Sequence, residues 1–130
     1  MPGVWDPLSA ILAQGAGFHT VFVSGFAVAG TLLGEPDIGI VNQANMADVA
    51  RRVCAAAPEL SVVVDADTGY GDMRDVQVTT ELWESAGASG MFLEDQVWPK
   101  KCGHMDGKQV VPAEEWWAKL TTVMKTRSDI

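Results

Sequence analysis

The chain has 130 residues, 48% of them hydrophobic, with five Trp and a formal net charge of −8, enough for one domain with a core and no more. The acidic balance argues against nucleic acid and anionic membrane surfaces as partners, since both need basic patches. No apolar run reaches the ~18 residues of a membrane-spanning helix, and no signal peptide is visible.

Residues 2–5 read as a short strand. Asp6 followed by Pro7 is an N-cap with proline at the first helical position. Leu8, Ile11 and Leu12 share one face of that helix, which Gly15 and Gly17 end. Residues 20–24 are the next strand, apolar and β-branched up to Val23 and closing on Ser24-Gly25. Residues 26–33 are apolar all round, the pattern of a short buried helix, and residues 34–39 form a loop. Asn42 caps a helix to about Ala57, in which Met46, Val49, Ala50, Val53, Cys54 and Ala57 follow helical spacing. Cys54 is therefore a structural residue. Residues 61–67 are the third strand, broken by Thr68-Gly69-Tyr70-Gly71. Asp72 caps a helix to about Ala86, with Val76, Thr79 and Trp83 facing in. Residues 91–95 are the fourth strand. After the loop that follows, Pro112 starts a last helix with Trp116, Trp117, Leu120 and Met124 as its apolar residues, and residues 126–130 are polar.

Strands alternating with helices mean parallel βαβ units, whose strands are buried on both faces and hence near-continuously apolar, as these are. Such a sheet is either open and doubly wound or closed into an eight-fold barrel. Gly69-Tyr70-Gly71 lacks the third glycine of a dinucleotide-binding turn. The two cysteines, Cys54 and Cys102, fall in a helix and a loop. That fits no disulfide framework and suits a reducing cytoplasm.

Side chains alternate along a strand, so Asp65 and Asp67 point to one face, and Glu94 shares a face with Phe92. Each carboxylate stands at the C-terminal end of its strand, where parallel α/β proteins place their active sites. Acids converging with few cations nearby call for neutralisation, and a hard divalent cation, Mg²⁺ or Mn²⁺, needs only one or two of them. The acids could instead cap helices or pair with Arg51, Arg52 or Arg74, although those Arg lie on helix faces away from the strand ends. Ser24, with the amides of Gly25 and Phe26, makes an anion nest suited to a carboxylate. Residues 100–104 pack Lys100, Lys101, Cys102 and His104 around Gly103. Nearby positive charge favours the thiolate and would lower the pKa of Cys102. Read blandly, the same stretch is a solvated charged loop with an incidental cysteine.

These motifs together resemble the isocitrate lyase and phosphoenolpyruvate mutase superfamily, in its methylisocitrate-lyase-like members, over essentially the whole chain. Pro2-Gly3-Val4-Trp5-Asp6-Pro7 is similar to the family's first strand and helix start, and Val23-Ser24-Gly25-Phe26 to its substrate-carboxylate turn. Residues 64–71 are similar to its metal strand, Leu93-Glu94-Asp95-Gln96 to the next, and Lys100-Lys101-Cys102-Gly103-His104 to its mobile catalytic loop. The resemblance implies a (β/α)₈ barrel and a Mg²⁺-dependent enzyme acting on small 2-hydroxy or 2-oxo acids. It implies that Asp65, Asp67 and Glu94 form the metal site, with Asp37 near it. Ser24, Gly25, Phe26, Cys102 and Gly103 would hold substrate, and Cys102 would be the acid/base with Lys101 and His104 beside it. A barrel typically needs ~250 residues, so residues 1–130 correspond to its N-terminal half, and the later strands that supply the family's substrate-binding Arg are absent.

The expected protein is thus a single half-barrel domain and the active-site half of a carbon–carbon lyase for 2-hydroxy di- or tricarboxylic acids, weak or inactive by itself. Its open sheet edges should drive homo-oligomerisation. Three other readings stay open: a non-catalytic self-associating half-barrel, a mutase acting on C–P bonds, which the thiol loop disfavours, and an oxaloacetate decarboxylase, which needs no thiol.

Overall fold

The structure, a computed structural model, describes residues 1–128. Asp129 and Ile130, the last of the polar tail, lie outside the described residues. In chain order the elements are β1 (Gly3–Val4), α1 (Pro7–Gly15), β2 (Thr20–Val23) and α2 (Gly25–Val28), which runs on as a π-helical turn (Ala29–Leu33). Then come α3 (Gln43–Ala56), β3 (Ser61–Asp65), α4 (Met73–Ala86), β4 (Gly90–Phe92) and α5 (Ala113–Thr126). The four strands lie side by side in the order β1-β2-β3-β4, every pair parallel. Sequential parallel βα units of this kind are the repeating unit of a (β/α)₈ barrel, and four of them make half of one.

Local chemistry sets the helix starts. Asp6 caps α1 in a reciprocal box with Ser9, Asn42 caps α3 with Asn45, and Asp72 caps α4 with Asp75. In each case two backbone donors that the helix cannot satisfy find side-chain acceptors. One row of strand side chains, Val4, Val21, Val23, Val62, Val64 and Ala66, packs under the helices against Ala10, Met46, Ala50, Val53 and Trp83, all fully buried. The opposite row, with Phe22, Val63 and Phe92, has no helix over it among the described residues. There the rings of Phe22 and Phe92 meet edge to face at 5.1 Å, yet Phe92 stays 51% exposed.

Three expectations change. The face of Leu8, Ile11 and Leu12 is exposed, and α1 instead packs through Ala10 and Ala13. Residues 26–33 are not a buried helix. Only Val28 and Ala29 are covered, while Phe26, Leu32 and Leu33 face outward, and the helix widens into a π turn that Gly34 ends in a left-handed conformation. In α5, Trp117 and Met124 are exposed, whereas Lys119 is buried. Helical spacing shows that a helix has an apolar stripe; it does not show that anything in this chain covers it.

Candidate active site at the strand ends

β3 and β4 end at Asp65 and Phe92, short of the expected residues 67 and 95. The reason is a turn in which Asp67 (φ 45°), Gly69 (φ 89°) and Tyr70 (φ 65°) are all left-handed. For the two non-glycine residues this costs roughly 1–3 kcal/mol each, and hydrogen bonds hold the turn in place. Backbone pairing continues through it, with the amides of Ala66 and Glu94 donating to the carbonyls of Phe92 and Asp67. Gly69 has no room for a side chain, since a Cβ there would lie 2.5 Å from Val76.

Asp65 is the hub of the site. Its Oδ2 accepts from the Gly25 amide at 3.1 Å and its Oδ1 from the Asp67 amide at 3.0 Å. The nest at Ser24-Gly25 is therefore already used in part by a carboxylate of the protein. The Ser24 hydroxyl accepts from the Ala27 amide as the cap of α2, and Phe26 is exposed. A Cβ on Gly25 would sit 2.9 Å from Asp65 Oδ2. Gly25→Ala should cost about 1–3 kcal/mol, as overpacking does, read as a lower midpoint in urea unfolding. An unchanged midpoint would show that Asp65 is not pinned there.

The cation that the sequence does not show beside these acids is Lys100. Its ammonium lies 2.6 Å from Asp37 and 2.6 Å from Asp67, and all three side chains are buried. The sequence groups Lys100 with the thiol; the fold commits its charge to two carboxylates, and both hold its pKa above the ordinary lysine range. Arg51 and Arg52 pair with Asp48 instead. Burial, with the charge of Asp65 next, pushes the Asp67 carboxyl up to about 6 against the pull of Lys100. Burial likewise raises Glu94. Tyr70 is raised too, by burial and then by Asp67, Asp65 and Asp37, so its hydroxyl, buried without a hydrogen-bond partner among the described residues, stays protonated.

Two further side chains brace the thiol loop, and the first of them ties it to an acid. Gln96 is buried and makes three contacts. Its Nε2 donates to Glu94 Oε2 at 2.7 Å and to the Lys101 carbonyl at 2.9 Å, while its Oε1 accepts from the Lys101 amide at 3.1 Å. Lys108 donates to the carbonyls of Gly103 and Met105. Cys102 is buried rather than solvated, with its Sγ 3.6 Å from Nδ1 of the exposed His104. Lys101 is exposed, as is Gly103. Sequence reasoning assigned no role to Gln96 or to Lys100 as a carboxylate partner. Lys100 acts across a contact between distant loops that no spacing encodes, and Gln96 through the local path of the loop around it.

Among the described residues no three acidic, histidine or cysteine side chains converge tightly enough to enclose a metal ion. Magnesium does not require that, since it keeps several waters and takes one or two carboxylates. Asp65 and Asp67 fit this mode. Their oxygens retain free lone pairs, and the buried Asp67 Oδ1, although ion-paired to Lys100, has no aligned hydrogen-bond donor.

Comparison with known proteins agrees with this geometry. A family model described as phosphoenolpyruvate phosphomutase matches residues 1–129. The chain is 50% identical over 129 residues to the chloroplastic carboxyvinyl-carboxyphosphonate phosphorylmutase of Arabidopsis thaliana, covering 99% of this chain and 38% of that protein. It is 43% identical to a probable 2-methylisocitrate lyase of Corynebacterium glutamicum, covering 99% and 41%. The solved structure of 2,3-dimethylmalate lyase, a PEP mutase/isocitrate lyase superfamily member, superposes with a TM-score of 0.93 at 36% identity, covering 97% of this chain and 42% of that one. A phosphonopyruvate hydrolase solved in complex with oxalate and Mg⁺⁺ superposes with a TM-score of 0.87 at 28% identity, covering 98% and 43%. The chain thus spans about two fifths of the length of the curated relatives it matches.

Proposed function

Because the chain belongs to the phosphoenolpyruvate mutase/isocitrate lyase superfamily, we propose that it carries the metal-and-acid half of a carbon–carbon lyase site for small 2-hydroxy di- or tricarboxylic acids. One observation carries the reading: Lys100 seats the loop that bears Cys102 directly on two carboxylates, Asp67 just past the end of β3 and Asp37 in the loop before α3. Asp65 and Asp67, with Glu94 in support, would hold Mg²⁺ or Mn²⁺. The ion, when bound, supplies positive charge against developing oxyanions.

The chain's own residues do the rest. Ser24, Gly25 and Phe26 border the place of a substrate carboxylate, and Gly103 and Cys102 close over it. In cleavage a base removes the hydroxyl proton, the freed electron pair forms a C=O, and the C–C bond breaks toward the departing carboxylate fragment. That carbon then takes its proton from Cys102 Sγ. His104, whose Nδ1 lies 3.6 Å from the thiol, would return the proton, with the exposed Lys101 in support. The base is not assigned. Both cysteines are free, in keeping with a reducing compartment such as the cytoplasm, and no described helix is long and apolar enough to cross a membrane.

Calorimetry tests the metal half. Mg²⁺ binding should weaken by at least about tenfold in Asp67→Ala, the scale seen when a site's supporting groups are lost. Unchanged affinity would sink the assignment. The name of the plant relative favours a second reading, a C–P mutase. Turnover of a phosphonopyruvate-type acid but not of methylisocitrate or dimethylmalate would select it.

A further inference from the structure

We propose that Lys119 is a positioning residue for the candidate site: from α5, its buried ammonium holds the carbonyl of Thr68 and with it the left-handed turn that presents Asp67. The inference rests on the reading of Asp67 as a functional carboxylate. The carbonyls of residues 66–69 in this turn each have a partner. The carbonyl of Ala66 accepts from the Gly69 amide at 2.8 Å, and that of Asp67 from the Glu94 amide at 2.7 Å. The carbonyl of Gly69 accepts from the Thr79 hydroxyl at 3.3 Å, and that of Thr68 from Lys119 Nζ at 2.9 Å. The first three partners come from the turn itself, the adjoining strand end and the helix that follows. Lys119 alone reaches in from an element 51 residues away in sequence.

The chemistry is uneconomical for packing. Lys119 is 6% exposed, and among the described residues its ammonium makes no ion pair. A buried cation is costly unless it is paired or hydrogen-bonded, and a methionine would fill the same space without that cost. The benefit falls on the turn. Thr68 is itself buried, directly between Asp67 and Gly69, and a charge-assisted bond to its carbonyl resists a flip of the Thr68–Gly69 peptide, on which the left-handed φ of Gly69 and the course of the turn depend. Because the Asp67 carbonyl also anchors the Glu94 amide, the same bond keeps the ends of β3 and β4 in register.

The test compares the full chain with Lys119→Met and Lys119→Arg by amide hydrogen exchange and by Mg²⁺ calorimetry. In Lys119→Met, the amides of Gly69 and Glu94 should exchange about tenfold faster, a local opening. The Ser61 amide, bonded to His19 at the other end of β3, should be unchanged. Mg²⁺ affinity should fall about tenfold, as for a lost supporting group, and Lys119→Arg should restore both. Wild-type exchange at Gly69 and Glu94 would overturn the proposal, and so would equal acceleration at Ser61, which marks general destabilisation. If Lys119→Met does not fold, Lys119→Gln, a neutral donor of shorter reach, takes its place with the same readouts. Failure of the unsubstituted chain to bind Mg²⁺ would sink the metal reading of Asp67, and the exchange rates alone would then decide whether Lys119 holds the turn.

Discussion

Lys100→Met should lower unfolding stability by about 3–5 kcal/mol, the cost of removing one partner from a buried ion pair. The reason is specific to this site. The ammonium stands between Asp37 and Asp67, both nearly inaccessible to water, and Asp65 adds a third negative charge beside them. Without Lys100 two buried carboxylates face each other uncompensated, and the loop that bears Cys102 loses its seat. Lys101→Met, at the exposed neighbour, should change stability by no more than about 0.5 kcal/mol. Urea unfolding of the two variants is the measurement. Equal midpoints would mean that the Lys100 bridge contributes nothing net and that the acids are solvated in solution.

Sedimentation at low micromolar concentration should find the chain as a dimer or larger. β1 and β4 are the edges of the four-stranded sheet, and an unpaired edge invites a further strand. The uncovered inner row leaves Phe92 and Trp5 exposed, with Phe22 and Val63 half-buried. Leaving such side chains in water forgoes about 1.5–3 kcal/mol each for the large ones, against a total stability of only ~5–15 kcal/mol. A second copy meeting the first edge to edge about a two-fold axis would cover that row. Phe92→Glu, which places a charge in the middle of it, should shift the population toward monomer. A compact monomer that unfolds in two states would refute self-association.

Much of this protein is legible without coordinates, because its cues are local. An Asp, Asn or Asp at the start of a helical stripe, with Ser9, Asn45 or Asp75 three residues on, satisfies backbone donors within one turn of chain, so α1, α3 and α4 begin where the residues say. Apolar β-branched runs alternating with such helices can only pair in parallel. Period-two alternation, together with the rule that parallel sheets work at their C-terminal ends, is what makes Asp65, Asp67 and Glu94 candidates.

What the tertiary structure alone decided depends on contacts between residues far apart. Asp67 reaches its place through a left-handed turn, not as the next alternating residue of a strand. Lys100 looks like a neighbour of Cys102, but it pairs with Asp37, brought in by a different loop. Lys119 matters through a backbone carbonyl, which has no residue identity to read. The exposed Leu8, Ile11 and Leu12 show the converse. Periodicity predicts an apolar face correctly, but burial belongs to whatever packs on it, and only the fold shows that in these residues nothing does. Side-chain chemistry and spacing determine local structure and the inventory of reactive groups. Which charges end up sharing a low-dielectric space is set by long-range packing.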